Sequence, residues 1–366
     1  MTLQEKKDFT SKRIPSLDGL RGLAIILVLI GHGSYSIPQS FLSPLFMFLG
    51  NGHLGVSIFF VLSGYLIYTL SVQEYQKTGT FNWKNFYFRR ILRIFPAFYF
   101  VLLTIILLKV FKIIILTLPM LLSAATFTAN YNLLWIKSTA LTDYFVIGHF
   151  WTLALEEQFY LVFPLLMILF RNNRLLPILT VVILLEPFVR VFCYFLIPSL
   201  RGQIGEMLHT SFDSIGAGVL LGELLRNDKI KDRLFRLANN RLILSISILF
   251  IVFISPILNI HFRGLYMLTV GKTLELIGIS VLIVAAISNR KTLLFRLLNS
   301  RVLSKIGILS YSIYLWNNLF LYDDGKLIFN QFPLNFLCVF GMGIFSYYIV
   351  EKPFLRIKDR FKNAKN

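Results

Sequence analysis

Charged residues and cysteines are both scarce in this chain. Asp, Glu, Lys and Arg make up 15% of the 366 residues and hydrophobic residues 56%, whereas about 25% of a soluble domain is charged. No polar stretch is long enough to form a separate soluble domain. The two cysteines, Cys193 and Cys338, lie in apolar runs and form no CxxC motif. We therefore expect neither a disulfide framework nor a metal site.

Apolar residues are abundant instead, with 36 phenylalanines and a mean hydropathy of +0.70. Windows of about 17–25 apolar residues are long enough to cross a bilayer as helices. Ten such windows occur, near residues 20–37, 54–73, 94–115, 151–170, 175–198, 211–226, 242–258, 266–288, 305–322 and 332–351. The predicted fold is therefore an all-α polytopic membrane protein with about ten transmembrane helices and the lipid bilayer as its surroundings.

The chain has a net charge of +19. In a membrane protein this excess reports orientation, because Lys and Arg accumulate in cytoplasmic loops, and we therefore expect no nucleic-acid partner. Six segments hold 28 of the 37 Lys and Arg residues, and all lie on one side if the ambiguous apolar run 113–135 does not cross. If it crosses, 19 of these charges move outside, against the positive-inside rule. We predict ten crossings, cytoplasmic termini, and a re-entrant or outer-surface helix at 113–135. The six segments are 1–13, 74–93, 171–174, 226–241, 289–305 and 351–366.

The segment 226–241 has the pattern of a short basic amphipathic helix on the inner membrane surface. The alternative is an ordinary solvated loop that carries the topology signal. We divide the chain into a cytoplasmic N-terminal tail (1–13), a membrane domain (14–355) and a basic cytoplasmic C-terminal tail (356–366).

The first span carries two ionisable residues, Arg21 and His32. Eleven helical steps separate them, so both side chains share one face, about 16 Å apart along the axis. Ionisable groups at membrane depth are costly and usually line a polar cavity, which favours a chemical site in this bundle. The alternative is an Arg21 that snorkels to the surface and a His32 that hydrogen-bonds a neighbouring helix.

Glu156 is predicted to lie roughly 8 Å below Trp151 in the fourth span, at a depth comparable with His32. A histidine and a carboxylate at one depth are the parts of a general base and its orienting partner. Alternatively, Glu156 and Glu157 are capping or interface charges at the span entrance. That interpretation fits Glu157 better, because adjacent helical residues point about 100° apart and only one can face a given cavity.

Three arginines, Arg89, Arg90 and Arg93, open the third span. Guanidinium groups bind phosphate oxygens bidentately and stay charged in any environment. The alternative is a simple topology anchor. A substrate with a phosphate-rich head at the inner face and a long, reactive-ended arm would bridge these arginines to His32, and acyl-coenzyme A has that shape.

Seven segments together resemble the acyltransferase 3 family of integral-membrane O-acyltransferases, which O-acetylate bacterial surface polysaccharides. They occur in the family's order from about residue 15 to residue 355, so the resemblance covers nearly the whole chain. The segments are DGLRGLAIILVLIGH (18–32), GVSIFFVLSGYLI (55–67), RRILRIFPAF (89–98), HFWTLALEEQFYLVFPL (149–165), FDSIGAGVLLGELL (212–225), SYSIYLWNNLF (310–320) and VEKPF (350–354).

The resemblance implies about ten transmembrane helices in the bacterial inner membrane, acetyl-coenzyme A as cytoplasmic acyl donor, and a glycan acceptor. It implies that His32 is essential and that Arg21, Glu156 and the three arginines occupy family positions. The acceptor would be a sugar hydroxyl of a lipid-linked or exported saccharide. Lipopolysaccharide side chain, exopolysaccharide, peptidoglycan precursor and lipid-linked oligosaccharide all remain open.

The chain departs from the family pattern at two places. Where the family usually has Tyr-Leu-Trp-His, this chain has Tyr314-Leu315-Trp316-Asn317. We interpret Asn317 as a hydrogen-bonding substitute, which leaves His32 as the leading candidate for the base. Many members also append an extracytoplasmic esterase-like domain, and since this sequence stops at Asn366 we expect no such fused domain.

We therefore predict a membrane O-acetyltransferase in which His32 is the general base or, in a two-step version, accepts the acyl group. Glu156 would orient the imidazole or share its proton. Asp18 and Arg21 would form an i, i+3 pair at the inner mouth, near the donor path. The three arginines of the third span would bind the donor phosphates.

The remaining histidines are predicted at span edges or in loops, where substitutions should matter less. They are His53, His149, His209 and His261. The alternative from another functional class is a transporter or flippase of a lipid-linked or polyanionic molecule. Paired inverted repeats with broken helices would favour it, and the sequence shows no such pair.

Overall fold

The computed structural model describes residues 14–34, 36–37, 50–132, 143–169, 175–288, 292–321 and 328–363. Within these ranges every regular element is a helix, which confirms the predicted all-α fold. The predicted N-terminal tail, residues 1–13, lies outside the described residues.

Fourteen helices are described, and α4, α8 and α11 are short ones that connect the others. Their bounds are α1 (Pro15–Gly33), α2 (Gly52–Thr78), α3 (Trp83–Val110), α4 (Leu118–Ala125), α5 (Phe145–Leu169), α6 (Leu175–Leu196), α7 (Leu208–Leu224), α8 (Asp228–Ala238), α9 (Arg241–His261), α10 (Met267–Ile287), α11 (Leu293–Leu298), α12 (Arg301–Leu321), α13 (Leu334–Ser346) and α14 (Lys352–Asn363). A π-helical turn, Tyr347–Glu351, joins α13 to α14 as one continuous helix.

The ten predicted spans coincide with α1, α2, α3, α5, α6, α7, α9, α10, α12 and α13. In the described part of the chain, eight helices are long and apolar enough to cross a membrane. The other two are α7, which has 17 residues, and α12, which is richer in polar residues. Both pack inside the bundle, α7 against α2 and α12 against α1.

Local sequence sets the ends of α2. The Asn51 side chain accepts a hydrogen bond from the Leu54 amide at 2.9 Å and so caps the first turn. At the other end Gly79 adopts φ +71°, a left-handed conformation that favours glycine, and its amide donates to the Tyr75 carbonyl at 2.8 Å.

The run 113–135 forms no crossing helix in its described part. Its helix α4 has eight residues, about 12 Å of helix, which is too short to span a bilayer. The chain then enters the bundle, where the fully buried Asn130 side chain donates to Gln158 in the middle of α5 at 3.0 Å. This geometry fits the re-entrant interpretation up to residue 132, and residues 133–135 lie outside the described ranges.

Glycines bring two pairs of helices to backbone contact. A Cβ atom added at Gly307 of α12 would lie 1.7 Å from the Asp18 carbonyl oxygen of α1. The α2–α7 pair is equally close, because a Cβ atom at Gly64 would lie 2.0 Å from the Ile215 carbonyl oxygen. Small residues permit this approach, and van der Waals packing is a main source of helix association in membranes. The core therefore centres on α1, which packs against both α12 and α2.

One group of buried charges joins three helices. Arg190 of α6 donates to the Asp213 carboxylate of α7 at 2.7 Å, and Lys272 of α10 lies 3.5 Å from the other oxygen of Asp213. Lys272 also donates to Ser211 at 2.8 Å. Because Asp213 is fully buried, loss of either cation would leave an incompletely compensated charge in the bundle.

The two basic segments near the cavity described below are helical. Residues 228–238 form the amphipathic helix α8, whose Leu234 and Phe235 pack against the core, so the amphipathic interpretation holds rather than a solvated loop. The predicted C-terminal tail begins within helix α14, which continues to Asn363. The Phe361 ring of α14 contacts the Phe88 ring of α3, with centroids 4.8 Å apart, which holds this segment against the bundle.

The α1–α12 crossing predicts unequal effects of two identical substitutions. Gly307→Ala should destabilise the purified protein by about 1–3 kcal/mol through overpacking. Gly341→Ala should be neutral or slightly stabilising, because nothing lies within 4 Å of its added Cβ and alanine favours helix. Thermal unfolding in detergent measures both, and equal melting temperatures would contradict the close approach.

The charge distribution predicts that α8 and α14 lie on the cytoplasmic side. Lys229→Cys and Arg360→Cys, each in a background with Cys193 and Cys338 replaced by serine, should react with an impermeant maleimide only after cell lysis. Labelling of either position in intact cells would overturn the ten-span arrangement.

Candidate functional site

A cavity of about 880 Å³ enters the bundle at the end where α1 begins and where α2 and α7 end. Residues of α8 and α14 border its mouth, and residues of α1, α2, α3, α5 and α12 form its walls. This is the end predicted to be cytoplasmic.

Asp18 and Arg21 line this cavity and form the predicted i, i+3 pair, with 3.9 Å between guanidinium nitrogen and carboxylate oxygen. Arg21 also interacts electrostatically with Arg93 of α3 and Glu156 of α5. Three helices thus bring their charged residues to one region of the cavity wall.

The three arginines of α3 do not act as one cluster. Arg90 and Arg93 line the cavity, and the Arg90 guanidinium lies over the Tyr160 ring, 4.8 Å from its centroid. Arg89 instead forms an ion pair with Glu74 of α2 and is not among the lining residues. The reason is geometric, because Arg89 and Arg90 are adjacent in a helix and point about 100° apart.

Glu156 lines the cavity and Glu157 does not, as their adjacent positions predicted. The Glu156 carboxylate interacts electrostatically with Arg90, Arg93 and Arg21. Its surroundings are therefore the arginines of the cavity.

His32 has a different partner from the one predicted. Its Nδ1 atom lies 2.5 Å from Oδ1 of Asn317 in α12, and its ring meets Phe145 edge to face at 5.7 Å. His32 is not among the residues that line the cavity. The structure thus gives Asn317 the orienting role that the sequence assigned to Glu156, because equal depth along two helices does not bring their side chains together.

The hydrogen bonds of Asn317 fix the proton on the His32 ring. Asn317 Nδ2 donates to the backbone carbonyl of Tyr314, so Oδ1 is the atom that faces the imidazole. An amide oxygen only accepts, and Nδ1 of His32 must therefore carry the proton. Nε2 keeps its lone pair, the form that a general base or a nucleophile needs. Asn317 is thus the hydrogen-bonding substitute that its place in the motif predicted.

Tyr314 links the cavity with His32 through hydrogen bonds. It lines the cavity, and its hydroxyl lies 2.7 Å from the Thr152 hydroxyl and 3.0 Å from the His149 carbonyl oxygen. Its own carbonyl oxygen accepts from Asn317, which holds His32. One residue therefore contacts both halves of the candidate site.

Sequence reasoning missed part of this arrangement. His149 was placed at a span edge, yet it is buried and interacts electrostatically with His32. Tyr314 and Thr152 lie within the family-like segments, and the sequence alone predicted no role for either. The signal was present, since Tyr314 lies one helical turn before Asn317 and Thr152 one turn before Glu156.

Comparison with known proteins gives one family and a set of curated relatives. A family model described as an acyltransferase domain matches residues 14–352. The relatives include the O-acetyltransferase OatA of Staphylococcus aureus strains NCTC 8325 and COL, each 27% identical over 374 residues. The match covers 95% of this chain and 58% of each relative, so the chain spans little more than half their length. No solved structure matches the chain.

The Asn317 contact predicts the tautomer of His32. Magic-angle-spinning NMR of protein labelled with ¹⁵N-histidine should show that the His32 ring is neutral and protonated at Nδ1. The signal of His32 is identified by its absence from the spectrum of His32→Ala. Asn317→Leu removes the acceptor and should change this tautomer, whereas Asn317→Asp keeps an acceptor oxygen and should preserve it. A wild-type ring protonated at Nε2 would contradict the assignment.

Proposed function

This chain belongs to the acyltransferase 3 family, and on that premise we propose that it is a membrane O-acetyltransferase. It moves an acetyl group from acetyl-coenzyme A to a sugar hydroxyl of a cell-surface or lipid-linked glycan. The observation that carries the proposal is the cationic cavity lined by Tyr314, whose helix also carries Asn317, the hydrogen-bonding partner of His32. The names of the relatives support O-acetyl transfer, and the family resemblance supports the glycan acceptor.

The donor enters from the basic mouth of the cavity and extends its arm inward. Arg21, Arg90 and Arg93 line its path. Asp18 forms an ion pair with Arg21, and Glu156 interacts electrostatically with all three guanidinium groups. Arg89 has a structural role, since its charge is balanced by Glu74. Preorganised charges in a low-dielectric site act on a developing negative charge more strongly than they would in water.

In direct transfer, His32 acts as a general base. As the sugar oxygen attacks the thioester carbonyl carbon, Nε2 takes the hydroxyl proton, and the tetrahedral intermediate then collapses with cleavage of the carbon–sulfur bond. The imidazolium returns the proton to the departing thiolate. Asn317 stays hydrogen-bonded to Nδ1 throughout and stabilises the imidazolium.

In the two-step version, Nε2 of His32 is the nucleophile. It attacks the thioester carbon, the carbon–sulfur bond breaks, coenzyme A leaves as its thiolate, and an N-acetyl-imidazolium forms because Nδ1 keeps its proton. The sugar hydroxyl then attacks that acetyl group and gives its proton to the released Nε2.

The protein resides in a bacterial cell membrane. The acceptor reaches His32 from the side opposite the cavity mouth. Arg21 lies near the start of α1 and His32 near its end, so one helix connects a donor end with an acceptor end. Separate entrances suit a cytoplasmic donor and a glycan that is exported or displayed on a lipid.

Acetyl transfer by the purified protein tests the proposal. Reconstituted protein is given ¹⁴C-acetyl-coenzyme A and chitotetraose, and labelled ester and free thiol are measured. Replacement of the base by alanine, His32→Ala, should lower transfer by about 10²–10⁴-fold. His261→Ala is the matched control, because His261 is exposed and lies far along the chain from the site, and it should transfer acetyl as the wild type does.

Two results would contradict the proposal. Equal rates for the wild type and His32→Ala would remove His32 from the mechanism. The reconstituted protein lies in the membrane of lipid vesicles. If labelled acetyl-coenzyme A, or chitotetraose, accumulated inside these vesicles without ester formation, the transporter alternative would be favoured.

A further inference from the structure

The cavity carries more positive charge than the arginines of α1 and α3 supply. Eight of its lining residues are Lys or Arg, and four are Asp or Glu. Three of the cations, Arg21, Arg90 and Arg93, lie with Glu156 in the interior. The other five lie at the mouth and are Arg226, Lys231, Lys352, Arg356 and Lys358.

Three of these mouth residues belong to α14 and form what we call the basic wall: Lys352, Arg356 and Lys358. Positions 352, 355, 356 and 359 all line the cavity, and this i, i+3, i+4, i+7 spacing is one face of a helix. Lys358 lies beside that face and also lines the cavity. One side of α14 is therefore directed at the cavity along two turns.

Apolar and aromatic contacts hold the basic wall in position. Phe361 packs on Phe88 of α3, and the Lys352 ammonium lies 4.6 Å from the centre of the Tyr348 ring. The Lys358 side chain is 23% exposed and interacts electrostatically with Arg90 and Arg93. The wall therefore continues the positive field of the interior outward to the mouth.

The other side of the mouth is also basic. The Arg226 guanidinium is oriented by Glu223 at 2.9 Å and by the Tyr68 hydroxyl at 3.1 Å. Lys231 of α8 lines the same opening, 5.7 Å from the centre of the Phe235 ring. Arg226, just after α7, and cations of α8 and α14 thus lie around one entrance.

We propose that the basic wall binds the phosphate groups of the donor's nucleotide, with Arg226 and Lys231 on the other side of the entrance. The interior arginines then serve the thioester end of the donor and not its phosphates. This inference rests on the proposed function, because it takes acetyl-coenzyme A as the donor. It moves the phosphate site from the start of α3, where the sequence placed it, to the last helix.

Charge and shape support this assignment. Coenzyme A carries a phosphomonoester of about −1.5 to −2 and a diphosphate bridge with two further charges, so its head is a polyanion. The cavity lining has an excess of four positive groups, which is of matching size and opposite sign. A head held at the mouth also leaves the whole arm free to extend toward Tyr314.

Calorimetric binding of coenzyme A and 3′-dephospho-coenzyme A to the purified protein in non-ionic detergent tests the inference. The double variant Arg356→Gln/Lys358→Gln should weaken coenzyme A binding by about 10- to 100-fold, the effect of losing charge-assisted hydrogen bonds. It should weaken 3′-dephospho-coenzyme A binding less. Arg360→Gln is the matched control, since Arg360 is an exposed cation of α14 outside the cavity lining and should bind as the wild type does.

The outcomes separate this inference from the proposed function. If the wild type binds coenzyme A and the double variant binds it equally well, the basic wall is not the phosphate site and the proposed donor stands. If Arg360→Gln loses as much affinity as the double variant, binding depends on the total positive charge of α14 and not on the residues that line the cavity. The assigned site is then overturned. If the wild type binds no coenzyme A, the proposed function fails and the inference fails with it. Unchanged melting temperatures of the variants show that each is folded.

Discussion

The close approach of α1 to its neighbours is the contact on which the rest of the structure depends. Gly307 brings the backbone of α12 against Asp18, and Gly55 brings α2 against Ala24 in the same way. With no side chain between the helices, the rotation of α1 is fixed by backbone contact. That rotation directs Arg21 into the cavity and places His32 within hydrogen-bonding distance of Asn317. A single rigid helix therefore sets both ends of the candidate site.

The charged residues around α1 are arranged differently at the cavity end and in the interior of the bundle. At one end, cations outnumber carboxylates and line an open cavity, so they are available to an anionic ligand. In the bundle interior the pairing is tight, as in the contact between Arg190 and Asp213, because an unpaired ion in a low-dielectric medium is costly. His32 lies between these extremes. It is half-buried, and its ring is held by the neutral side-chain amides of Asn317 and Asn318.

Sequence reasoning was reliable wherever a property belongs to one helix. The spans followed from apolar length, the Asp18–Arg21 pair followed from helical periodicity, and only one of two adjacent glutamates lines the cavity, as expected. It failed where two helices must be rotated relative to each other. Depth along α5 suggested that Glu156 meets His32, whereas the arginines surround Glu156. The packing of the charged C-terminal segment could not be predicted either. Phe361 contacts Phe88, which lies 273 positions earlier in the chain, and composition gives no sign of so distant a partner.

The contacts of Tyr314 have a mechanical consequence. Its hydroxyl group ties α12 to the first part of α5 through Thr152 and the His149 carbonyl oxygen, and its own carbonyl oxygen accepts from the Asn317 amide. Asn317 in turn contacts His32 of α1. Polar contacts therefore run from α5 through α12 to α1, so a shift of any one of these helices would be transmitted to the imidazole. The three helices and the ring form one mechanical unit rather than separate parts.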